Sequence, residues 1–281
     1  MPEKKTILAV LAHPDDESFG MGGTLALYAS RGMDVHLVCA TRGEVGEATP
    51  ELLKGFESVA QLRESELRCA AGILGLAGVH FLDYRDSGMP GSPDNTHPRA
   101  LTAQPLDDVA AKVVRYIREL KPQIVLTFDP IGGYRHPDHI AIHRATVRAF
   151  EQAGNLDFAA DSLPAFSPER LYFHKMPNAL LKFAVKFLPL IGMNPHKFGT
   201  NGDIDLVPIA EVNFPTHARI NIRSVLKKKE QAGACHTSQG GGRMGGGVVS
   251  LFMRMFSGVE MFMRAYPPVE EGERVIKDLF D

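Results

Sequence analysis

Five consecutive residues, His13-Pro14-Asp15-Asp16-Glu17, set one imidazole beside three carboxylates, directly after the apolar run Ile7 to Ala12. Acidic groups crowded this closely repel one another unless a cation lies among them. The cluster therefore reads as a metal site with a base next to it. The plainer alternative is an acidic turn capping the next helix through Asp16 or Ser18, but a cap needs one carboxylate, not three and a histidine. A second cluster, His136-Pro137-Asp138-His139, follows another apolar run, QIVLTF at 123–128. The two clusters together supply His13, Asp16 and His139. Three protein ligands with a fourth position for water is the form of a catalytic zinc site. Ferrous iron takes the same donors, so residue type alone does not select the metal.

The elements that must position these residues follow from periodicity. TILAVLA at 6–12 is apolar on both alternations, as in a central parallel strand covered on both faces. Further strands are expected at 34–40, 79–83, 123–128 and 169–175. Helices are expected over Phe19 to Ser30, over 57–74 with Gly75 as terminator, over 106–120 before Pro122, and over 138–152. Alternating strands and helices predict an α/β fold: a Rossmann-like, mostly parallel sheet with helices on both faces. Both clusters then fall on the carboxyl edge of the sheet, where open α/β sheets place ligands. Residues 1–155 would form this core. Residues 156–281 would be a less regular extension over the active site that completes the same domain. In it, 178–194 reads as an amphipathic helix, lid or subunit contact, and 217–233 as a helix rich in Arg and Lys. The glycine-rich stretch 241–250 reads as a mobile hinge, and 251–266 as a final helix with a Met and Phe stripe. The 22-residue polar loop 84–105 exceeds the roughly 12–15 residues beyond which loops usually have a function.

Composition narrows the classes. The formal net charge is −2, so no global field argues for nucleic acid or an anionic membrane. No apolar stretch reaches the roughly 18 residues of a membrane span. The apolar run near the N-terminus is too short for a signal peptide. Cys39, Cys69 and Cys235 are odd in number, far apart and without a CxxC spacing, so no disulfide framework is expected and a reducing cytoplasm fits. The Phe and Met residues of the C-terminal third suggest a homo-oligomer contact.

HPDDE near the start, paired with HPDH after a later strand, resembles the LmbE/PIG-L family of zinc-dependent N-acetylglucosaminyl deacetylases. The likeness is greatest to the deacetylases of mycothiol and bacillithiol biosynthesis. TRGE at 41–44, Arg63 and Glu66 ahead of LG at 74–75, RDSGM at 85–89, DPIGGYRHPDH at 129–139 and HTSQ at 236–239 add to it. The resemblance implies zinc on His13, Asp16 and His139, with Asp15 as general base. His136 would polarise the carbonyl and steady the oxyanion, oriented by Asp138, and Tyr134 would be a movable donor to the same oxygen. Arg63 and Asp86 would hold sugar hydroxyls. Arg135 departs from the pattern, standing where a small residue is common.

The implied reaction is removal of acetyl from a small amino-sugar substrate, GlcNAc-inositol- or GlcNAc-malate-like, releasing acetate and a free amine. An amidase for a larger acyl or thiol-conjugate substrate is the alternative, motivated by the apolar segment 178–194. A nucleotide-binding Rossmann module is disfavoured, because no GxGxxG follows the first strand. Glu17 and Glu44 remain open between supporting a ligand and lying in solvent or at a helix start. His236 and Gln239 remain open between lining the site and capping a helix.

Overall fold

The computed structural model describes residues 4–158, 162–198, 202, 204–241 and 258–281. Its organising element is strand β1, Thr6–Leu11, buried along its whole length. A strand enclosed on both faces has no use for polar alternation, which is why TILAVL is apolar from Ile7 to Leu11. β2 (Asp34–Cys39), β3 (Gly78–Phe81), β4 (Ile124–Phe128) and β5 (Arg170–Lys175) join it in parallel, in the order β3-β2-β1-β4-β5. β6 (Ala218–Asn221) and β7 (Val259–Tyr266) extend the sheet beyond β5 with antiparallel pairing, β7 lying between β5 and β6.

The helices are α1 (Asp16–Phe19), α2 (Gly22–Ser30), α3 (Val59–Leu74), α4 (Leu106–Leu120), α5 (the kinked turn Gly132–Arg135), α6 (Pro137–Gln152), α7 (Asn178–Phe187), α8 (Leu206–Glu211) and α9 (Leu226–Cys235). Two groups of them flank the sheet. α4 lies against α6, while α2, α3 and α9 pack together, and the buried strands run between the groups. α3 begins at Ser58, whose hydroxyl accepts the Gln61 N–H, and ends at the left-handed Gly75. α2 comes so close to Ile222 that a Cβ on Gly23 would lie 2.3 Å from its side chain. Such an approach is open only to glycine.

Three expectations need correction. The span 217–233 is not one helix: strand β6 and a short turn, Arg223–Val225, precede α9. β6 alternates buried Ala218 and Ile220 with exposed Arg219 and Asn221, the period of a strand with one covered face. Residues 259–266 are strand β7, not part of a final helix. β7 is flanked by strands on both sides, and its Met and Phe residues carry no clean alternation that separates strand from helix. Cys69 and Cys235 form a disulfide joining α3 to α9 across 166 residues, a pairing that spacing cannot signal. Of the hinge expected at 241–250, residues 242–250 lie outside the described residues, as does the stretch 251–257. No helix among the described residues is long and apolar enough to cross a membrane.

Candidate active site

β1 has β2 on one side and β4 on the other, so the chain leaves β1 in one direction and returns beyond it in the other. The crevice at the carboxyl end of this switch point is where such sheets bind ligands. The turn after β1 and the start of α1 carry His13 to Glu17, and the end of α5 with the start of α6, after β4, carries Tyr134 to His139. His13 Nδ1 lies 3.3 Å from His139 Nε2, and Asp16 spans them, with Oδ1 3.2 Å from His139 Nε2 and Oδ2 3.6 Å from His13 Nδ1. Ligands bound to zinc at about 2.0–2.1 Å in a tetrahedron stand about 3.3 Å apart. Asp16 thus turns one carboxylate oxygen toward each of the two imidazole nitrogens, at spacings near that value, and the ring nitrogens of His13, His136 and His139, like the donors of His13, Asp86 and Asp138, also lie within 4.8 Å of one another.

Each ring is turned toward this point by the bond on its other nitrogen. His139 Nδ1 meets the Gly132 carbonyl at 3.2 Å, and its ring stacks on Phe128. His13 Nε2 faces Asp138 Oδ2 at 3.2 Å and Asp86 Oδ1 at 3.5 Å. A carboxylate behind an imidazole fixes its tautomer and raises its basicity as a ligand. Burial works against charge on His13, but Asp86, Asp138 and Asp16 outweigh it and hold its pKa well above the ordinary value. Burial likewise opposes charge on Asp16, and His139 and His13 outweigh it, keeping the carboxyl well below the usual range. The site thus attracts positive charge.

Asp15 lies beside the donors in a conformation unusual for a non-glycine residue, φ 127° and ψ −30°. Such a backbone costs about 1–3 kcal/mol and persists only where its surroundings enforce it. Arg63 Nη2 donates to Asp15 Oδ2 at 3.2 Å and to the Pro14 carbonyl at 2.7 Å, while Nη1 donates to the Gly43 carbonyl at 3.1 Å. Burial pushes the Asp15 carboxyl up to about 6, against the pull of Arg63. The guanidinium crosses Gly43 so closely that a Cβ there would lie 2.1 Å from Nη1, which accounts for the glycine of TRGE.

His136 caps α6: its Nδ1 accepts the Asp138 backbone N–H at 3.2 Å, which leaves the ring proton on Nε2. Burial, reinforced by His13 and His139, lowers its pKa and keeps the ring neutral. The Asp138 side chain turns instead to His13 and to the Ser87 N–H at 2.9 Å, so its orienting contact with His136 is made by the backbone. Tyr134 stands edge-on to His139 at 4.9 Å between centroids, and burial raises its phenol well above the usual range. Gly133 and Arg135 on either side have φ 66° and 70°, and Asp129 Oδ1 accepts the Ile131 and Gly133 N–H groups, so this loop is shaped by its own turn chemistry.

The family model described as PIG-L, GlcNAc-PI de-N-acetylase, matches residues 8–150. A deacetylase of 1D-myo-inositol 2-acetamido-2-deoxy-alpha-D-glucopyranoside from Geodermatophilus obscurus is 37% identical over 248 residues, covering 85% of this chain and 84% of that protein. The chain belongs to the PIG-L family. A protein of the same name from Acidothermus cellulolyticus is 38% identical over 244 residues, covering 84% of this chain and 80% of its own length. Among solved structures, the N,N'-diacetylchitobiose deacetylase of Pyrococcus horikoshii shares the fold with a TM-score of 0.61 at 21% identity, over 93% of this chain and 84% of that one. A 4-carboxy-2-hydroxymuconate hydratase of Pseudomonas putida shares it with a TM-score of 0.60 at 21% identity, over 95% of this chain and 99% of that one. The PIG-L fold is thus found with more than one chemistry, and only the site can separate them.

The PIG-L site draws on residues that motif reading left open. Glu44 accepts the Asp86 N–H at 3.2 Å, behind the RDSGM loop. Glu17, fully buried, meets His236 Nε2 at 2.7 Å. Glu66 accepts from the Thr237 hydroxyl and from the Ser238 N–H and hydroxyl. The HTSQ segment therefore grips the two elements that carry Asp15 and Arg63. A lone histidine over 200 residues from its partner leaves no spacing signal. Arg63 and Asp86, expected at sugar hydroxyls, are both buried, Arg63 against Asp15 and Asp86 against His13.

Proposed function

We propose that this PIG-L protein is a metal-dependent hydrolase that removes the N-acetyl group from an N-acetylglucosaminyl compound, GlcNAc-inositol- or GlcNAc-malate-like, giving acetate and a free amine. The observation that carries the reading is the gathering of His13 Nδ1, His139 Nε2 and the two oxygens of Asp16 at spacings of 3.2–3.6 Å, with Asp15 adjacent. Zn2+ is the proposed occupant, and Fe2+ suits the same donors. A divalent metal bound there would make water more acidic and polarise an amide carbonyl.

The side chains supply the remainder. Asp15 takes a proton from the attacking water and returns it to the departing amine. His136, neutral with its proton on Nε2, donates to the oxygen that gains negative charge, and Tyr134, edge-on to the His136 ring, is a second donor from the same loop. Asp138 and Asp86 hold His13 from behind. Arg63 acts first on Asp15, and any contact with sugar hydroxyls is additional to that role. The relatives' printed substrate supports the amino-sugar reading.

The test is acetate release from 1D-myo-inositol 2-acetamido-2-deoxy-α-D-glucopyranoside, abolished by a chelator and restored by Zn2+ or Fe2+. Activity surviving in a His13→Ala, Asp15→Asn double variant overturns the mechanism. The amidase alternative has one observation in its favour: Leu181, Ala184 and Val185 of α7 form an apolar cluster with Ile131 and Tyr134 beside the site. Faster hydrolysis of bulky acyl substrates than of acetyl would favour it.

A further inference from the structure

The strained backbone at Asp15 needs a restraint, and the structure supplies one from the far end of the chain. Glu17 is fully buried and uses both carboxylate oxygens. Oε2 accepts the Asp15 N–H at 3.0 Å. Oε1 accepts from the Ser18 hydroxyl at 2.5 Å and from His236 Nε2 at 2.7 Å. His236 is itself fully buried, and its ring lies 5.9 Å from that of Phe19. A carboxylate buried alone would be costly and would find another partner or a proton. With His236 in place it stays anchored, and its second oxygen remains aimed at Asp15.

The residues after His236 act on the other end of the same group. Thr237 and Ser238 occupy Glu66, one helical turn from Arg63 on α3, and Arg63 Nη2 meets the Asp15 carboxylate. Cys235, immediately before His236, is bonded to Cys69 of the same helix. Asp15 is thus held by its N–H through Glu17 and by its carboxylate through Arg63, and one short segment braces both supports. We infer that Glu17 and His236 are a positioning pair for Asp15, setting the direction of its carboxylate without touching substrate. The inference rests on the reading of Asp15 as the base.

The experiment compares kcat, KM and bound metal for His236→Ala, His236→Gln, Asp15→Asn and the His236→Ala, Asp15→Asn double variant, with acetate release from the same GlcNAc-inositol substrate. His236→Ala should lower kcat about 10–100-fold, with KM and metal content unchanged. His236→Gln, which returns an N–H donor near the position of Nε2, should recover most of the loss. In the Asp15→Asn background His236→Ala should cost nothing further, because the group it positions is already disabled. A wild-type kcat in His236→Ala, a loss confined to KM or metal content, or multiplying losses in the double variant overturns the pair. Should His236→Ala fail to fold, Glu17→Gln is read by the same criteria. An Asp15→Asn enzyme with undiminished kcat overturns the base assignment itself, and the pair with it. An inactive Asp15→Asn beside a fully active His236→Ala overturns the pair alone.

Discussion

The stretch from β1 to α6 and the stretch from β5 to β7 build one sheet by different rules. In the first, each parallel strand ends in a loop that turns toward the same edge, and two of those loops carry His13, Asp16, His136 and His139. In the second, β7 and β6 run antiparallel, and the segment after α9 contributes His236, Thr237 and Ser238, which bond to carboxylates of the first stretch. The first region holds the groups proposed to react, and the second bonds to the carboxylates beside them. A site can therefore be local in its chemistry and global in its precision, because a strained residue such as Asp15 stays in place only when distant groups enforce it.

That division is sharpened most by Asp15→Asn. It should lower kcat by about 10²–10⁴-fold, the usual range for loss of a general base, while one equivalent of metal remains bound. Loss of metal along with activity would merge the two roles that the first region keeps apart.

In the second region the largest effect should be on stability. Cys69→Ser removes the bond between α3 and α9 and should cost about 2–4 kcal/mol, read from the midpoint of denaturant unfolding. An unchanged midpoint would mean that α9 is held in place without that bond.

Smaller again is Asp138→Ala, which strips the carboxylate from behind His13 and leaves the Ser87 N–H unpaired. Metal affinity or kcat should fall about 10–100-fold, measured by metal titration and acetate release. No change in either would place the control of His13 on Asp86.

The smallest is Arg135→Gly. Arg135 has a left-handed φ of 70°, and glycine relieves that strain while losing chain entropy. A stability gain of less than about 1 kcal/mol is expected by thermal melting, with activity unaffected. A large loss would give Arg135 a role beyond its bond to the Pro208 carbonyl.

Legibility followed the same boundary. β1 and β4 are almost wholly apolar because both faces are covered, α3 announces its end with Gly75, and HPDDE and HPDH put several ionisable groups in a few positions. Those are local signals, and a single chain displays them. β7 reads as well for a helix as for a strand, since Met261, Phe262 and Met263 run together as an apolar group and its charged residues, Glu260 and Arg264, stand four apart, a spacing that a helix face shows as readily as a strand face. β6 does alternate, but it is short and stands before the Lys-rich start of α9.

By itself the sequence determined the α/β class, the carboxyl edge of β1 and β4 as the place of the site, and the donor types gathered there. These depend on periodicity and on neighbours a few residues apart. Tertiary structure alone decided that His13 turns Nδ1 inward because Asp138 and Asp86 occupy Nε2. It alone decided that Arg63 is spent on Asp15, that Cys69 pairs with Cys235, and that Glu17 and His236 meet. Each of these is a contact between side chains at least 48 residues apart. Such contacts depend on how the chain packs, and no local spacing encodes them.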